Sequence, residues 1–230
     1  MKFRAIVSDP PWGGWNDKLK MSTVKRGADS NYKTLTVEDL KKIPVDAIAE
    51  DDSILCLWVP SSLLQDGMDV MKAWGFRQTQ TWVWVKVKQN PLDQLYKNII
   101  YYMKQEKFDA LTRKGIKEQL LKACLGSILS FGMGRLFRQT HEICLIGVKG
   151  SPYKHLKNKS QRSICFDTNL KHSKKTEILQ DRLEIMFPNQ PSLEMFGRRT
   201  REKWVVVGNE IEGEDIFDSI KRLGEKCLEE

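Results

Sequence analysis

Four consecutive residues near the start of the chain, Asp9-Pro10-Pro11-Trp12, have the types and spacing needed for chemistry on an amino group. Prolines lack an N–H, so the turn that they force offers carbonyl oxygens as acceptors beside the Asp9 carboxylate and the flat indole of Trp12. Two acceptors can bind the hydrogens of a ring-bound NH2 group while the indole stacks on the ring. The nitrogen then becomes a better nucleophile, as amino-group methyl transfer from S-adenosylmethionine requires. A structural alternative is a turn that ends a strand, with Asp9 capping a helix and Trp12 packed in the core.

A second group of candidate site residues lies far downstream. The Phe196-Gly197 pair allows close approach of the backbone to a ligand, and Arg198 can bind a carboxylate or hydroxyls. Asn209 and Glu210 offer polar groups for a ribose or an adenine edge. These residues predict a nucleoside pocket, whereas the absence of a Gly-x-Gly-x-x-Gly motif argues against a dinucleotide site.

Short apolar runs predict the strands that must position these residues. The predicted strands are Ala5–Val7, Ser53–Val59, Thr81–Val87, Glu142–Val148, Leu193–Phe196 and Trp204–Val207. Helices fit between most of them, including one that begins at a Thr36–Asp39 capping pattern and one over Thr176–Phe187. Another begins at Ser61 or Ser62 and ends at Gly75. This alternation is typical of an α/β doubly wound sheet, whose sites lie at the carboxyl ends of strands, and Asp9 follows such an end.

Residues 88–135 interrupt the alternation and predict a helical insertion. Its apolar face carries Ile116, Leu120, Leu121, Cys124 and Ile128. Three roles stay open for this face, namely packing on the core, pairing with a partner and contact with nucleic acid.

The net charge of +8 is unevenly distributed. Residues 149–175 contain eight lysines and arginines against one acid, with aromatic residues interleaved, whereas residues 209–230 contain three bases and eight acids. The basic stretch predicts binding to a phosphate backbone, with Lys149 and Lys154 as candidate contacts, and the alternative is a solvated loop. The segment of about residues 211–230 is expected to be an acidic tail.

Length and composition favour a single domain over residues 1–230, in a cytoplasmic protein. The sequence contains no stretch typical of a signal peptide or a membrane span. Five scattered cysteines without a Cys-x-x-Cys motif, and only three histidines, predict reduced thiols and no metal site.

Together the motifs resemble the MT-A family of adenine-N(6) methyltransferases, whose best-known member is the catalytic subunit of the eukaryotic mRNA adenosine methyltransferase. The chain resembles a prokaryotic or phage-like member of this family, and the resemblance covers nearly the whole chain. The matching segments are Asp9 to Trp12, Asn31-Tyr32, Leu57-Trp58-Val59, Ala73-Trp74-Gly75-Phe76, Trp84-Val85-Lys86, Glu142 to Gly150, His172 to Lys175, Glu194 to Arg198 and Gly208-Asn209-Glu210.

The resemblance implies a Rossmann-like S-adenosylmethionine-dependent methyltransferase fold with permuted order, catalytic motif first and cofactor-binding strand late. It implies a catalytic motif of Asp9, Pro10, Pro11 and Trp12. The implied cofactor-binding residues are Asp9, Lys175, Phe196, Gly197, Arg198, Thr200, Asn209 and Glu210. The implied substrate-binding residues are Trp12, Asn31, Tyr32, Trp84, Lys86 and Glu142. Dimerisation with a second copy or with a paralogue is also implied.

Two departures from the family pattern stand out. Arg199-Thr200-Arg201 occupies the place of Pro-His-Asn in eukaryotic members, so the ribose contacts there differ. Thr176 occupies the place of the proline that usually follows the lysine.

The predicted reaction is methylation of the adenine N(6) amine in nucleic acid. DNA is favoured over RNA because the chain is short and lacks accessory domains. Two alternatives stay open: a non-catalytic nucleic-acid-binding or partner subunit, and an enzyme for cytosine N(4) or a free nucleoside.

Overall fold

A computed structural model describes residues 2–13, 34–103, 126, 128–130, 132, 136–168 and 174–229 of the chain. The strands in this part are β1 (Phe3–Ser8), β2 (Ala49–Val59), β3 (Arg77–Val87), β4 (His141–Lys149), β5 (Ile164–Thr168), β6 (Ser192–Met195) and β7 (Trp204–Val207). The α-helices are α1 (Val37–Lys42), α2 (Val45–Ile48), α3 (Leu64–Ala73), α4 (Pro91–Met103), α5 (Ile178–Met186), α6 (Asn209–Glu212) and α7 (Ile216–Glu229). Short 3₁₀ helices cover Ser61–Leu63 and Pro152–His155. The mixed α/β class is confirmed.

The chain divides into two compact units. The first unit contains Met1–Trp82, Glu142–Ser163 and Ile178–Glu230, and the second contains Val83–His141 and Ile164–Glu177. Strand β3 therefore contributes its first residues to one unit and its last residues to the other.

In the first unit the strand order is β3-β4-β2-β1-β6-β7. Strand β1 pairs in parallel with β2 and β6, and β6 pairs in parallel with β7, whereas β4 is antiparallel to β2. The register sets Ser8 opposite both Leu57 and Met195. The ends of β1, β2, β6 and β7 thus share one side of the sheet, which we call the carboxyl edge and which includes Val59 and Val207.

The core of the first unit forms around β1, whose apolar run is buried on both faces as expected for a central parallel strand. Helix α3 covers β2 with the fully buried Val70 and Met71. At the other end of the chain, Ile216 and Ile220 of α7 join the same core. Most of the predicted acidic tail is therefore a helix with one buried apolar side.

Two helix ends in this unit follow the predicted chemistry, whereas the predicted start at Ser61 or Ser62 does not: these residues belong to a 3₁₀ helix, and α3 begins at Leu64 without a side-chain cap. The Thr36 side chain accepts a hydrogen bond from the Asp39 N–H at 3.1 Å and begins α1. After α3, Gly75 adopts a φ of +83°, and the Phe76 N–H donates to the Met71 carbonyl at 3.0 Å. This pattern is a Schellman motif, in which glycine is favoured at the position of positive φ because it has no Cβ.

In the second unit, residues 83–87 of β3 pair in parallel with β5. The sequence did not predict β5, because Ile164 and Phe166 lie in the lysine-rich stretch and are exposed. Helix α4 falls in the predicted insertion, but Ile116, Leu120, Leu121 and Cys124 lie outside the described residues.

Among the described helices, none is both long and apolar enough to cross a membrane. The cytoplasmic location stays a prediction from the sequence.

Candidate active site

The Asp9-to-Trp12 turn lies at the carboxyl edge, because β1 ends at Ser8. The Asp9 N–H donates to the Met195 carbonyl at 3.4 Å, which joins the turn to the end of β6. The Pro11 carbonyl accepts the Leu35 N–H at 2.9 Å, and the Pro10 carbonyl accepts the Trp12 N–H at 2.9 Å. A carbonyl oxygen has two lone pairs, so each proline carbonyl can accept a second hydrogen bond from a ligand amine.

Trp12 is packed in the core and is only 3% exposed. Its indole Nε1–H donates to the Trp58 carbonyl of β2 at 2.9 Å. The structural alternative for this tryptophan thus describes its surroundings correctly. Stacking of Trp12 on a substrate ring requires that the ring become uncovered.

Glu194 of β6 is an acidic residue to which the sequence assigned no role. Burial raises the pKa of its carboxyl, and the negative charge of Asp9 raises it further, while Gln180 and Arg201 act in the opposite direction. The Gln180 Nε2 donates to Glu194 Oε2 at 3.3 Å. Two carboxylates therefore lie near each other at the carboxyl edge. The available signal was an acid inside the apolar run Leu193-Glu194-Met195.

The backbone that follows β6 approaches the end of β7 closely. The Gly197 N–H donates to the Val207 carbonyl at 3.0 Å. A Cβ on Gly197 would overlap the side chain of Val206, and a Cβ on Gly208 would lie 2.5 Å from the Gly197 carbonyl oxygen. Only glycines fit these two positions without movement of the backbone. The preceding Phe196 has a φ of +61° and is half-buried.

Polar residues with exposed side chains follow β6 and β7, next to this close contact between the two strand ends. Arg198, Thr200, Asn209 and Glu210 are all exposed, and Asn209 is the first residue of α6. The Arg198 Nε lies 3.3 Å from Glu210 Oε1. Exposed donors and acceptors next to a half-buried phenylalanine fit the nucleoside of S-adenosylmethionine, which needs partners for its hydroxyls and an apolar contact for its ring.

Arg201, one of the residues that depart from the family pattern, forms ion pairs with helix α5. Its guanidinium contacts Asp181 at 2.6 Å and Glu184 at 2.8 Å, both on α5. The Trp204 indole also donates to Glu184, at 2.7 Å. Arg201 therefore attaches the segment after β6 to α5 and does not extend the group of exposed polar residues.

Glu142 lies at the beginning of β4, beside Ile143, which pairs with Val59. Because β4 is antiparallel to β2, its first residues are at the carboxyl edge. The first unit therefore brings Glu142 to the same edge as Asp9.

Lys149 and Lys154 do not join this group. Lys149 is the last residue of β4 and pairs with Ser53 of β2. Ser53 lies four residues before Leu57, so Lys149 is about 13 Å along the strand from the carboxyl edge. The Lys149 ammonium lies 2.7 Å from Asp46, and that of Lys154 lies 3.0 Å from an oxygen of Asp52. Hydrogen bonds from the Ser151 N–H and the Lys154 side chain lower the pKa of Asp52. Neither lysine is thus at the edge that carries Asp9.

Three further predicted site residues belong to the second unit. Trp84 is buried, and its Nε1–H donates to the Asp167 carbonyl at 3.1 Å. The Lys86 ammonium lies 5.1 Å from the centre of the Trp84 ring. Lys175 is half-buried. The contact between Lys86 and Trp84 is a cation–π interaction that fixes both side chains.

Asn31 and Tyr32 lie outside the described residues. In the part of the chain that is described, no group of three or more His, Cys, Asp or Glu side chains could hold a metal ion.

Comparison with known proteins identifies relatives over most of the chain. The MT-A70 family model matches residues 3–125 and 120–210. The N(6)-adenosine-methyltransferase subunit METTL3 of Danio rerio is 24% identical over 220 residues, which cover 94% of this chain and 29% of the relative. The N(6)-adenosine-methyltransferase catalytic subunit METTL3 of Homo sapiens is 23% identical over 220 residues, with 94% and 30% covered. The chain thus spans less than a third of the length of these relatives.

A shorter match is to a protein that is named as a non-catalytic subunit. The N6-adenosine-methyltransferase non-catalytic subunit MTB of Arabidopsis thaliana is 32% identical over 90 residues, which cover 39% of this chain and 11% of the relative.

Proposed function

The chain belongs to the MT-A70 family, and we propose that it is an S-adenosylmethionine-dependent methyltransferase acting on the N(6) amine of adenine in nucleic acid. The observation that carries this proposal is the position of the Asp9-to-Trp12 turn, whose acceptors lie at the same edge as Arg198, Asn209 and Glu210. Active sites of open α/β sheets form at such carboxyl ends.

In the proposed reaction the chain activates and orients the amine. The Asp9 carboxylate and the Pro10 carbonyl each accept one amine hydrogen, which raises the nucleophilicity of the nitrogen and sets its direction. S-adenosylmethionine, when bound, supplies an electrophilic methyl group. Transfer of that methyl group to the nitrogen would leave the neutral thioether S-adenosylhomocysteine, and Asp9 would accept the proton that the nitrogen loses.

Cofactor binding is assigned to a group of residues in the first unit, namely Asp9, Phe196, Gly197, Arg198, Thr200, Asn209 and Glu210. Exposed polar side chains after β6 and β7 support the nucleoside part of this assignment. The role of Lys175 with the methionine carboxylate rests on the resemblance in sequence.

Substrate binding is assigned to Trp12, Asn31, Tyr32, Trp84, Lys86 and Glu142. Support is strongest for Glu142, because the register of β4 brings it to the carboxyl edge. Trp12 holds the turn in position through its buried side chain. Stacking of its indole on the substrate ring requires that the indole become exposed. For Lys149 and Lys154, the ion pairs at the opposite edge favour a structural role.

Both DNA and RNA are candidate substrates, and the relatives are named for adenosine, the ribonucleoside. In duplex DNA the target base has to leave the stack before it reaches the amine acceptors.

A parallel assay on three polymers tests the reaction. Labelled S-adenosylmethionine is incubated with duplex DNA, single-stranded DNA and RNA, and the products are digested to nucleosides. We expect N(6)-methyladenine from at least one polymer. The matched control substrate carries purine, which lacks the exocyclic amine, in place of adenine and should remain unlabelled. N(4)-methylcytosine as the product would transfer the proposal to cytosine.

A non-catalytic role is the second candidate, since one relative is named a non-catalytic subunit. Its partner would be a second copy or a paralogue that supplies the activity. Calorimetry with S-adenosylhomocysteine separates the two cases. Binding together with methyl transfer supports the enzyme, and absence of binding supports the partner subunit.

A further inference from the structure

A buried glutamine of α5 has one side-chain atom for which the described residues offer no partner. Gln180 is only 2% exposed, and its Nε2 donates to Glu194 Oε2 at 3.3 Å. The Oε1 of the same amide is buried, and no donor within the described part of the chain forms a hydrogen bond with it. Buried acceptors without a partner are rare because they are costly. The Gln180 Oε1 is therefore a candidate acceptor for a ligand.

This amide lies beside the turn that carries Asp9. Glu194 pairs with Val7 of β1, and the next residue, Met195, accepts the Asp9 N–H through its carbonyl at 3.4 Å. The Asp9 charge acts on the Glu194 carboxyl and, together with burial, raises its pKa. Gln180, Glu194 and Asp9 therefore belong to one group at the carboxyl edge.

The same group is next to the close contact between the ends of β6 and β7. A Cβ on Gly197 would lie 3.5 Å from Glu194 Cγ and 3.7 Å from Glu194 Cδ. Strand β6 lies between β1 and β7 in the sheet. A ligand whose nucleoside binds at Arg198 and Asn209 therefore passes over Glu194 before it reaches Asp9. In S-adenosylmethionine, the atoms that follow the nucleoside in this direction are those of the methionine part.

The oxygens of this group all accept hydrogen bonds, and two of the three side chains are carboxylates. Arg201 acts on Glu194 with the opposite charge, but its guanidinium is held by Asp181 and Glu184 of α5. A cationic donor would pair the free amide oxygen and reduce the repulsion between the carboxylates. The methionine part has one such group, the α-ammonium, with three N–H donors.

We propose that Gln180 is a further cofactor-binding residue, whose Oε1 accepts a hydrogen bond from the α-ammonium of S-adenosylmethionine. Its Nε2 holds the Glu194 carboxylate beside the same ammonium. This inference rests on the proposed function, in which the exposed polar residues after β6 and β7 bind the nucleoside. Every residue that it uses belongs to the first unit.

The test compares two ligands in calorimetry on the full chain. S-adenosylhomocysteine carries the α-ammonium, and 5′-(3-carboxypropylthio)adenosine has the same nucleoside, sulfur and carboxylate without it. Because hydrogen bonds to a charged donor are strong, we expect wild type to bind S-adenosylhomocysteine at least about tenfold more tightly than this analogue.

Gln180→Met keeps the length of the side chain and removes both polar atoms of the amide. We expect S-adenosylhomocysteine to bind about five- to tenfold more weakly to this variant, and the analogue to change by less than about twofold. Gln180→Glu retains an oxygen acceptor and should keep at least the wild-type preference for S-adenosylhomocysteine.

Gln65→Met is the matched control, because Gln65 is exposed on α3 and donates to Asp69 of the same helix at 3.0 Å. This variant should bind both ligands as wild type does. Thermal unfolding of every variant verifies that the fold is retained, and the comparison of the two ligands on wild type needs no substitution.

The inference is overturned if wild type binds the two ligands equally, or if Gln180→Met weakens both by the same factor. In either case, binding of S-adenosylhomocysteine by wild type leaves the proposed function in place. Wild-type protein that binds neither ligand would overturn the cofactor assignment, and this inference with it.

Discussion

The Trp12 indole N–H donates a hydrogen bond to the backbone carbonyl of Trp58, 2.9 Å away. The bond connects the Asp9-to-Trp12 turn to the interior of the first unit, because Trp58 belongs to the central strand β2. The acceptors that we assign to the substrate amine are therefore held by a buried tryptophan.

Trp12→Phe removes the donor and keeps an aromatic ring. We expect the free energy of unfolding to fall by about 1–3 kcal/mol, since a buried carbonyl loses a partner. The shifted turn should also lower the rate of methyl transfer by about tenfold or more. Urea denaturation and single-turnover kinetics measure the two effects.

Trp74→Phe is the matched control for this variant. The Trp74 indole is fully buried and donates to the Leu40 carbonyl at 2.8 Å. Its loss should lower stability by a similar amount and leave the methyl-transfer rate unchanged. Equal loss of rate in both variants would indicate that Trp12 has no specific connection to the site.

Glu194 should make the stability of the protein depend on pH. Its pKa is raised above the usual value of 4.5 by burial, then by Asp9, so the folded state binds a proton that the unfolded state has released. This contribution to stability is complete below the unfolded pKa and is lost as pH rises through the folded pKa. Glu194→Gln should therefore become more stable relative to wild type as pH increases from 4 to about 7.

Urea denaturation across this pH range measures the difference between wild type and Glu194→Gln. A constant difference for Glu194→Gln would contradict the raised pKa.

Substitution of Arg198 should weaken ligand binding, whereas substitution of Arg201 should lower stability. Arg201→Ala breaks the contacts with Asp181 and Glu184, and we expect a loss of about 1.5–3 kcal/mol in the free energy of unfolding. Arg198→Ala should weaken S-adenosylhomocysteine and change stability little, because this side chain is exposed. Calorimetry and denaturation on both variants test the assignment, and the reverse pattern would exchange the two roles.

Lys149→Gln and Lys154→Gln should leave the KM for an oligonucleotide substrate within about twofold of wild type. Both ammonium groups are compensated by aspartates, and Lys149 lies away from the carboxyl edge. Steady-state kinetics at low and physiological salt provide the comparison. A large KM increase at low salt would restore both lysines as nucleic-acid contacts.

The strands around Asp9 were predictable because buried parallel strands have uniformly apolar sequences. The run Ala5–Val7 lies within β1, and the run Trp204–Val207 has the same bounds as β7. Helix caps were predictable where a specific side chain forms the cap, as at Thr36. The position of Asp9 at the carboxyl edge follows from these local signals.

The direction of a strand could not be predicted from the same signals. An apolar run does not show in which direction the strand pairs, so the antiparallel pairing of β4 and the position of Lys149 could not be predicted. Strand β5 was also not predicted, because Ile164 and Phe166 are exposed and the strand lies within the lysine-rich stretch of residues 149–175. The partners of Arg201 depend on contacts between distant segments, which no short pattern contains.

Single-turnover methyl transfer by Asp9→Ala, at saturating S-adenosylmethionine, tests the central claim most directly. Asp46→Ala, which removes a surface acid paired with Lys149, is the control and should react at the wild-type rate. We expect Asp9→Ala to form N(6)-methyladenine at least about 100-fold more slowly, since it removes an acceptor of both the amine hydrogen and the released proton. An Asp9→Ala rate equal to wild type would contradict the proposed mechanism.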